Sequence, residues 1–441
     1  MSCEDVSRTA LPAILGGQPV LAAGDEPTFP PRGDLEVGLL TEITRGGQWF
    51  AFGRGAGEWR LTLEQLVADS TGYAYGVGVP NGTLGIAVGL RAQLRARQAV
   101  DPQWVVGRER VLVADTTHAS AHYGVLAGLA PDLERRIVLV PIDASRDATP
   151  SSAAAEQYMD QHADRVLALV PVTMYGAFGE IDRFVALARK YDVMLHHDNA
   201  LGGGARYERS RATTASVSGQ GEGKATPAGE AGVALTSDPE LARIMRADTH
   251  TGIGPSRLDA IPFEEMPRLT AGNLRLGEHA AGLMVLQWLR AYQARVQARE
   301  NRRRVQQLLA EPGLFGVPIL WNAPMDAEFP PFFMFQMVAT EELEEELGLS
   351  PADMRAIFCA EGMEAERGFT PTHRDPAWRH VAEGHELSYE GSAHLFKKSV
   401  IVGGKYLRDP RFVDWITAIF EKVVAYKDRL RGVGDTMPEM T

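Results

Sequence analysis

The sequence predicts an α/β protein with a large domain built on a mostly parallel sheet and a smaller α+β domain after it. Three observations carry that prediction. Between residues 61 and 250, short apolar runs of strand length alternate with segments of helical periodicity, the pattern of repeated strand-helix-strand units. A long amphipathic stretch, 277–311, is suited to crossing from one domain to another. Beyond it, strands and helices follow one another without that alternation. The composition agrees, since 441 residues at 45% hydrophobic and 23% charged form neither a disordered nor a fibrous chain.

In chain order, residues 1–60 read as an irregular N-terminal arm. Gly16-Gly17, Pro27, Pro30-Pro31, Gly46-Gly47 and Gly53 punctuate it too often for long elements. The large domain is expected over 61–276. LTLEQLVAD has helical spacing, YAYGVGVPNG is a buried strand broken at Asn81-Gly82, and TLGIAVGLRAQLRAR is again helical. RVLVAD, RIVLVPID and RVLALVPV are strands, IDRFVALARKY is a helix, and VMLHHDNA is a strand ending at Asp198. The glycine-rich ASVSGQGEGKATPAGEAGVAL reads as a loop, followed by a strand and the helix DPELARIMRA. The connecting helix is expected over 277–311 and the small domain over 312–441. In the latter, PPFFMFQMVA and FKKSVIV are strands, SPADMRAIFCAEGM is a helix, and RFVDWITAIFEKVVAYKDRL is a closing helix.

Several function classes are excluded or disfavoured at once. A net charge of −12 argues against general nucleic-acid binding. Two cysteines, Cys3 and Cys359, supply neither a disulfide framework nor a cysteine-based zinc site. No His-Glu-x-x-His spacing occurs, so no metal is expected. No apolar run approaches the roughly 20 residues of a membrane span, and a soluble cytoplasmic protein is the expectation.

In a mostly parallel sheet, ligands bind at the carboxyl ends of the strands. Four features stand there or in the glycine-rich loops, each with two readings. Asp198 either caps a turn or serves a ligand. Lys224, among small residues, is either a solvated loop lysine or an amine that attacks a carbonyl. Asn81-Gly82-Thr83, opening a helix, is either a plain cap or a phosphate site of free backbone N–H groups and a hydroxyl. Asn273-Leu274-Arg275 is equally open. Together they describe one cofactor, pyridoxal 5'-phosphate, which needs a lysine for its Schiff base, a carboxylate at its ring nitrogen and a polar helix N-terminus for its phosphate. Lys224 follows Asp198 by 26 residues, an interval that lets both face one ligand. Many of the 45 glycines, in the arm, at Gly82, at Gly202-Gly203-Gly204 and between Gly219 and Gly232, fall where backbone would approach a flat, phosphorylated molecule.

Over residues 12–425 the chain resembles the DegT-type sugar and cyclitol aminotransferases of the aspartate-aminotransferase fold, which include the 3-amino-5-hydroxybenzoate synthases. LPAILGGQPV looks like the family's opening, and VGVPNGTLGIAVGL like its cofactor-phosphate turn, implying Gly82 and Thr83. VLVADTTHASAHYGVL resembles the segment whose aromatic residue stacks on the pyridine ring, implying His118. The strand in VPVTMYGAFGEIDRFVALARKYDVMLHHDNALGGGARY leads to a residue similar to the pyridinium aspartate, Asp198. GKATPAGEAGVALTSDPELARIMR looks like the Schiff-base lysine, Lys224, with the Gly-Glu-Gly-Gly element behind it. AGNLRLGEHAAGLMVLQWL resembles the segment whose asparagine, here Asn273, reaches the phosphate in a partner subunit. The resemblance thus implies fold type I of the pyridoxal-phosphate enzymes, with a seven-stranded-type sheet between helices. It also implies a homodimer with shared active sites and a glutamate or glutamine donor. The acceptor would be a keto-sugar, ketocyclitol or related ring ketone in secondary metabolism. Trp49, Tyr175 and His373 are candidate substrate contacts. Two departures stand out: Leu201 replaces a glutamine usual near the cofactor hydroxyl, and the loop before the lysine is one residue longer, leaving Ser218 or Ser216 for the phosphate. These departures motivate a lyase or dehydratase as the alternative chemistry. A non-catalytic partner subunit is the third reading, disfavoured by the retained lysine and aspartate.

Overall fold

The computed structural model describes residues 11–49, 57–133, 136–145, 148–177, 179–203, 212–221, 224, 226–252, 272–310, 319–321, 334–340, 343–383 and 387–436. Two sheets organise them. The first has seven strands, β1 (Tyr75–Val79), β2 (Arg110–Ala114), β3 (Val138–Ile142), β4 (Val166–Val170), β5 (Met194–Asp198), β6 (Thr214–Ser218) and β7 (Gly232–Thr236), in the order β1-β7-β6-β5-β4-β2-β3. Only β7 runs against its neighbours, pairing antiparallel with β1 and β6, and the other pairs are parallel. The second sheet, β8 (Ile319–Trp321), β9 (Met334–Ala339), β10 (Ala365–Glu366) and β11 (Ser399–Gly403), is antiparallel in the order β10-β11-β9-β8.

The helices are α1 (Asp34–Gly46), α2 (Glu58–Thr71), α3 (Gly82–Val100), α4 (Ala119–Leu133), α5 (Ser152–His162), α6 (Ile181–Lys190), α7 (Pro239–Thr249), α8 (Glu278–Ala310), α9 (Pro351–Ala360), α10 (Glu390–Lys398), α11 (Gly404–Leu407) and α12 (Phe412–Leu430). Their starts follow from sequence. Asn81, Ser151 and Asp238 accept the orphan N–H groups of the first turns of α3, α5 and α7. Ser350 and Asp353 form a reciprocal capping box on α9, with Pro351 in the first turn. The two faces of the first sheet are filled by alternating residues. Val138, Val140 and Ile142 of β3 pack with α5 and α6, while Leu139 packs with α3 and α4. Helix α8 is unbroken over 33 residues. Its Ala281, Met284 and Trp288 join the core of the first sheet, and its Ala298, Val305 and Leu309 that of the second.

Two elements depart from the expectation. The arm contains the 13-residue α1, whose buried Ile43 and Glu36 face α8. The stretch read as loop contains β6, Thr-Ala-Ser-Val-Ser, every residue of it buried. A strand of small polar residues gives no apolar signal, and the reason it is buried lies in α3. Added Cβ atoms at Gly82, Gly85 and Gly89 would stand 2.8 Å from Ser218 Cβ, 2.8 Å from Ser216 Cβ and 2.6 Å from His196 Nδ1. One glycine stripe thus lets the helix backbone lie directly on β6 and β5. Gly124 and Gly128 do the same for α4, meeting Ile86, Thr83 and Ala87 of α3 at 2.8 Å. Part of the glycine excess therefore serves helix packing.

Both ends of the described chain meet in the second core. Glu361, after α9, accepts the N–H groups of Ala13 and Val20 at 2.9 Å and pairs with Lys422 of α12 at 2.7 Å. Lys422 also donates to the Gln18 carbonyl at 2.7 Å. The pair is almost completely buried, at 0% and 2% exposure. After β10 the chain returns to the first sheet. Leu139 of β3 bonds Val381 and Glu383 through its backbone, and Trp378 enters the α3/α4 core.

Candidate active site

The site forms where β2, β5 and β6 end, at the N-terminus of α3. Asp198 closes β5 and is buried. Its backbone is fixed by Pro171 and Thr173 (2.9 Å each), and its Oδ1 accepts the Ala200 N–H at 3.0 Å. Burial raises its carboxyl pKa, while the Ala200 N–H and the Lys224 charge oppose that shift. Lys224 lies opposite in charge. Burial pushes its amine down to about 8, against the pull of Asp198 and Glu230. His118, four residues beyond β2 and exposed, is lowered by partial desolvation and then by the Lys224 charge. Its Nδ1 accepts the Ser120 N–H at 3.1 Å, and its ring meets Phe369 edge-on at 5.7 Å. Lys224 therefore interacts electrostatically with both Asp198 and His118.

The helix end adjoins them. The Cβ position of Gly82 is 3.2 Å from Ser218 Oγ and 3.7 Å from Ala200 Cβ, two residues past Asp198. Ser218 Oγ accepts the Gln220 N–H at 3.2 Å. Gly82 and Thr83 are the first two residues of α3, so their N–H groups belong to the unbonded first turn. Three buried polar atoms, Thr116 Oγ1, Asn199 Oδ1 and Thr226 Oγ1, find no partner among the described residues. In sequence they stand two residues before His118, one after Asp198 and two after Lys224. A desolvated amine in the field of a buried carboxylate, a helix N-terminus beside a serine, and unsatisfied hydroxyl and amide groups on neighbouring residues fit pyridoxal phosphate in charge and donor set.

The remaining sequence candidates stand apart in varying degree. Tyr175, with φ 49°, is buried in the apolar cluster joining the two sheets and stacks on Phe369 at 6.2 Å, which links it to His118. Leu201 packs into that same cluster. His373 is gripped by Asp115, whose Oδ1 accepts its N–H at 2.9 Å and whose Oδ2 lies 2.7 Å from its Nδ1, and it stacks on Tyr389 at 4.1 Å. Trp49 bonds the Thr44 carbonyl near His279 of α8. Asn273 is exposed and bridges His250 after α7. No hydrogen bond among the described residues joins Trp49 or Asn273 to the Lys224 cluster. His196 and His197, beside Asp198, are held neutral by burial with pKa values down to about 3, and they bond Thr214, Ser216 and Thr173.

Sequence reasoning missed Phe369, Asn199, Thr226 and Arg408. Phe369 had a signal, because it stands four residues before His373 in GFTPTHRDP. Arg408 had none: it donates to the Lys224 carbonyl from 184 positions away.

The sequence profile of the DegT/DnrJ/EryC1/StrS aminotransferase family matches residues 33–403. L-glutamine:2-deoxy-scyllo-inosose aminotransferase of Streptomyces fradiae is 25% identical over 311 residues, covering 68% of this chain and 69% of that protein. 3-Amino-5-hydroxybenzoate synthase of Amycolatopsis mediterranei (strain S699) is 26% identical over 272 residues, covering 61% and 63%. The crystal structure of 3-amino-5-hydroxybenzoic acid (AHBA) synthase superposes with a TM-score of 0.72 at 21% identity, over 91% of this chain and 98% of that one. That likeness establishes the fold, fold type I of the pyridoxal-phosphate transferases. With most of its length matched, the chain belongs to the DegT/DnrJ/EryC1/StrS aminotransferase family and is an enzyme dependent on pyridoxal 5'-phosphate.

Proposed function

We propose that this enzyme moves an amino group from glutamine or glutamate to a keto-sugar, ketocyclitol or related ring ketone in a secondary-metabolite pathway. What supports the reading is the close packing of Gly82, first residue of α3, on Ser218 and on Ala200, two residues past Asp198, together with the electrostatic influence of Lys224 on Asp198 and His118. Glutamine and an inosose stand in the names of several relatives, and a GDP-sugar product in that of another, which supports the substrate class.

Bound pyridoxal phosphate supplies an electron sink for charge developing at the substrate carbon. Lys224 would anchor the cofactor, and its amine would carry the proton to and from that carbon. An amine pushed down to about 8 is neutral in about a tenth of molecules at pH 7, poised for such work. Asp198 keeps a proton on the ring nitrogen, and His118 lies against the ring. Gly82, Thr83 and Ser218 hold the phosphate, joined by Asn273 of a second copy in a homodimer. Trp49, Tyr175 and His373 contact substrate. The arm (1–60), cofactor domain (61–276), connecting helix (277–311) and small domain (312–441) are the functional units of a cytoplasmic enzyme. Among the described residues no helix is long and apolar enough to cross a membrane, which is compatible with that location.

The test is spectroscopic. Purified protein should carry a visible absorption band that borohydride discharges and that Lys224→Ala lacks; a wild type that binds no cofactor sinks the reading. A lyase or dehydratase is favoured by one observation, Leu201 and its apolar packing where a polar residue would serve the cofactor hydroxyl. Glutamine or glutamate alone should discharge the band of an aminotransferase and leave that of a dehydratase unchanged.

A further inference from the structure

Arg408 is a part-buried charge that meets the lysine backbone and that the site chemistry does not use. It follows α11 in the small domain, and desolvation pushes its guanidinium down to about 10, so it stays charged at neutral pH. Its base is clamped. Asn301 of α8, fully buried, donates through Nδ2 to the carbonyls of Leu407 at 2.9 Å and Asp409 at 2.6 Å, the residues on either side. Its guanidinium lies 4.7 Å over the ring of Phe29 in the arm and donates through Nη1 to the Lys224 carbonyl at 3.4 Å.

The lysine segment needs such a hold. From 219 to 224 the sequence is GQGEGK, with no apolar side chain to seat it in a core. At the base of the loop Gly219 and Ala228 pair through backbone at 2.8 Å and Gly219 bonds Ala231 at 2.8 Å. A rigid strut from the 33-residue α8, through Asn301 and Arg408, reaches its far part. An arginine is suited to this, because its planar fork can stack on a ring and bond a carbonyl at once.

We propose that Arg408 is a positioning residue for Lys224: it fixes the lysine backbone to the small domain and the arm, so that the amine stays opposite Asp198. The inference rests on the assignment of Lys224 as the cofactor-anchoring lysine. Two ligands separate its consequences. Pyridoxal 5'-phosphate uses the ring site, the phosphate site and the lysine amine, whereas 4'-deoxypyridoxine 5'-phosphate has no aldehyde and uses only the first two.

Apo-enzyme would be titrated with each ligand, the first read by its visible band and the second by calorimetry. Arg408→Met should weaken pyridoxal phosphate by about 10-fold or more, the scale of a lost charge-assisted hydrogen bond. The deoxy compound should stay within about twofold, and Arg408→Lys should recover part of the loss. Equal weakening of both ligands, or of neither, overturns the proposal. Should Arg408→Met fail to fold, Phe29→Leu, which removes only the stacking face, should show the same selective loss in smaller measure; an unselective loss there overturns it too. A wild type that binds the deoxy compound and forms no visible band with pyridoxal phosphate would instead overturn the Lys224 assignment.

Discussion

The desolvated Lys224 amine should cost the empty protein stability, and the cost should vanish with alkali. Burial lowers the Lys224 amine from 10.5 to about 8. In the unfolded chain the amine keeps its ordinary value, so between these values the unfolded state binds more protons and stability rises with pH. The sign is thus a penalty, full below pH 8 and gone above 10.5. A displacement of that size corresponds to about 3 kcal/mol at pH 7 and about 1 kcal/mol at pH 9.5. Lys224→Met removes the charge and keeps nearly the same volume. Urea unfolding of the two apo-proteins at pH 7 and 9.5 reads the difference. The variant should be the more stable at pH 7, and its advantage should shrink by about 2 kcal/mol at pH 9.5. Packing differences do not vary with pH, so the slope isolates the amine. An advantage that is absent, or equal at both pH values, refutes the claim that the amine is held desolvated.

Three further outcomes follow from the packing. Gly89→Ala places a methyl 2.6 Å from His196 Nδ1, and overpacking of about 1–3 kcal/mol outweighs the roughly 1 kcal/mol gained in helix propensity, so its urea midpoint should fall; an unchanged midpoint denies the close approach. Gly82→Ala crowds Ser218 at the helix end and should weaken pyridoxal phosphate by about 10-fold while leaving pyridoxal, which lacks the phosphate, unaffected; equal effects would move the phosphate site elsewhere. Lys422→Met strands the buried Glu361 carboxylate and should cost about 3–5 kcal/mol in urea unfolding, more than the variant carrying both Lys422→Met and Glu361→Gln; a double variant no better than the single would deny the pairing.

The parallel strands were legible because they are buried on both faces and so read as apolar runs: RVLVA, VLVPI and VLALV each name themselves. β6 was not, since its burial is a property of α3. Serines and threonines can be interior there only because the facing helix positions are glycines, and no window along one segment contains that relation. The helix α1 hid behind the arm's glycines and prolines: Gly33 and Gly47, at φ 70°, flank it, while Gly38 and Gly46 lie within it. In the candidate site, Asp198 and Lys224 are proposed from a strand end and a run of small residues. Arg408 was not, because a side chain that meets a backbone carbonyl 184 positions away leaves no spacing to recognise.

The Glu361–Lys422 pair has a consequence for synthesis on the ribosome. The turn near Ala13 has its acceptor at Glu361, and Gln18 waits for a lysine 404 residues downstream. The seven-stranded sheet is complete in sequence by Thr236, so it can close while the arm has nowhere to dock. A nascent chain therefore carries an unseated leader for almost its whole translation. A message cut short before α12 would yield a product loose at both of its ends.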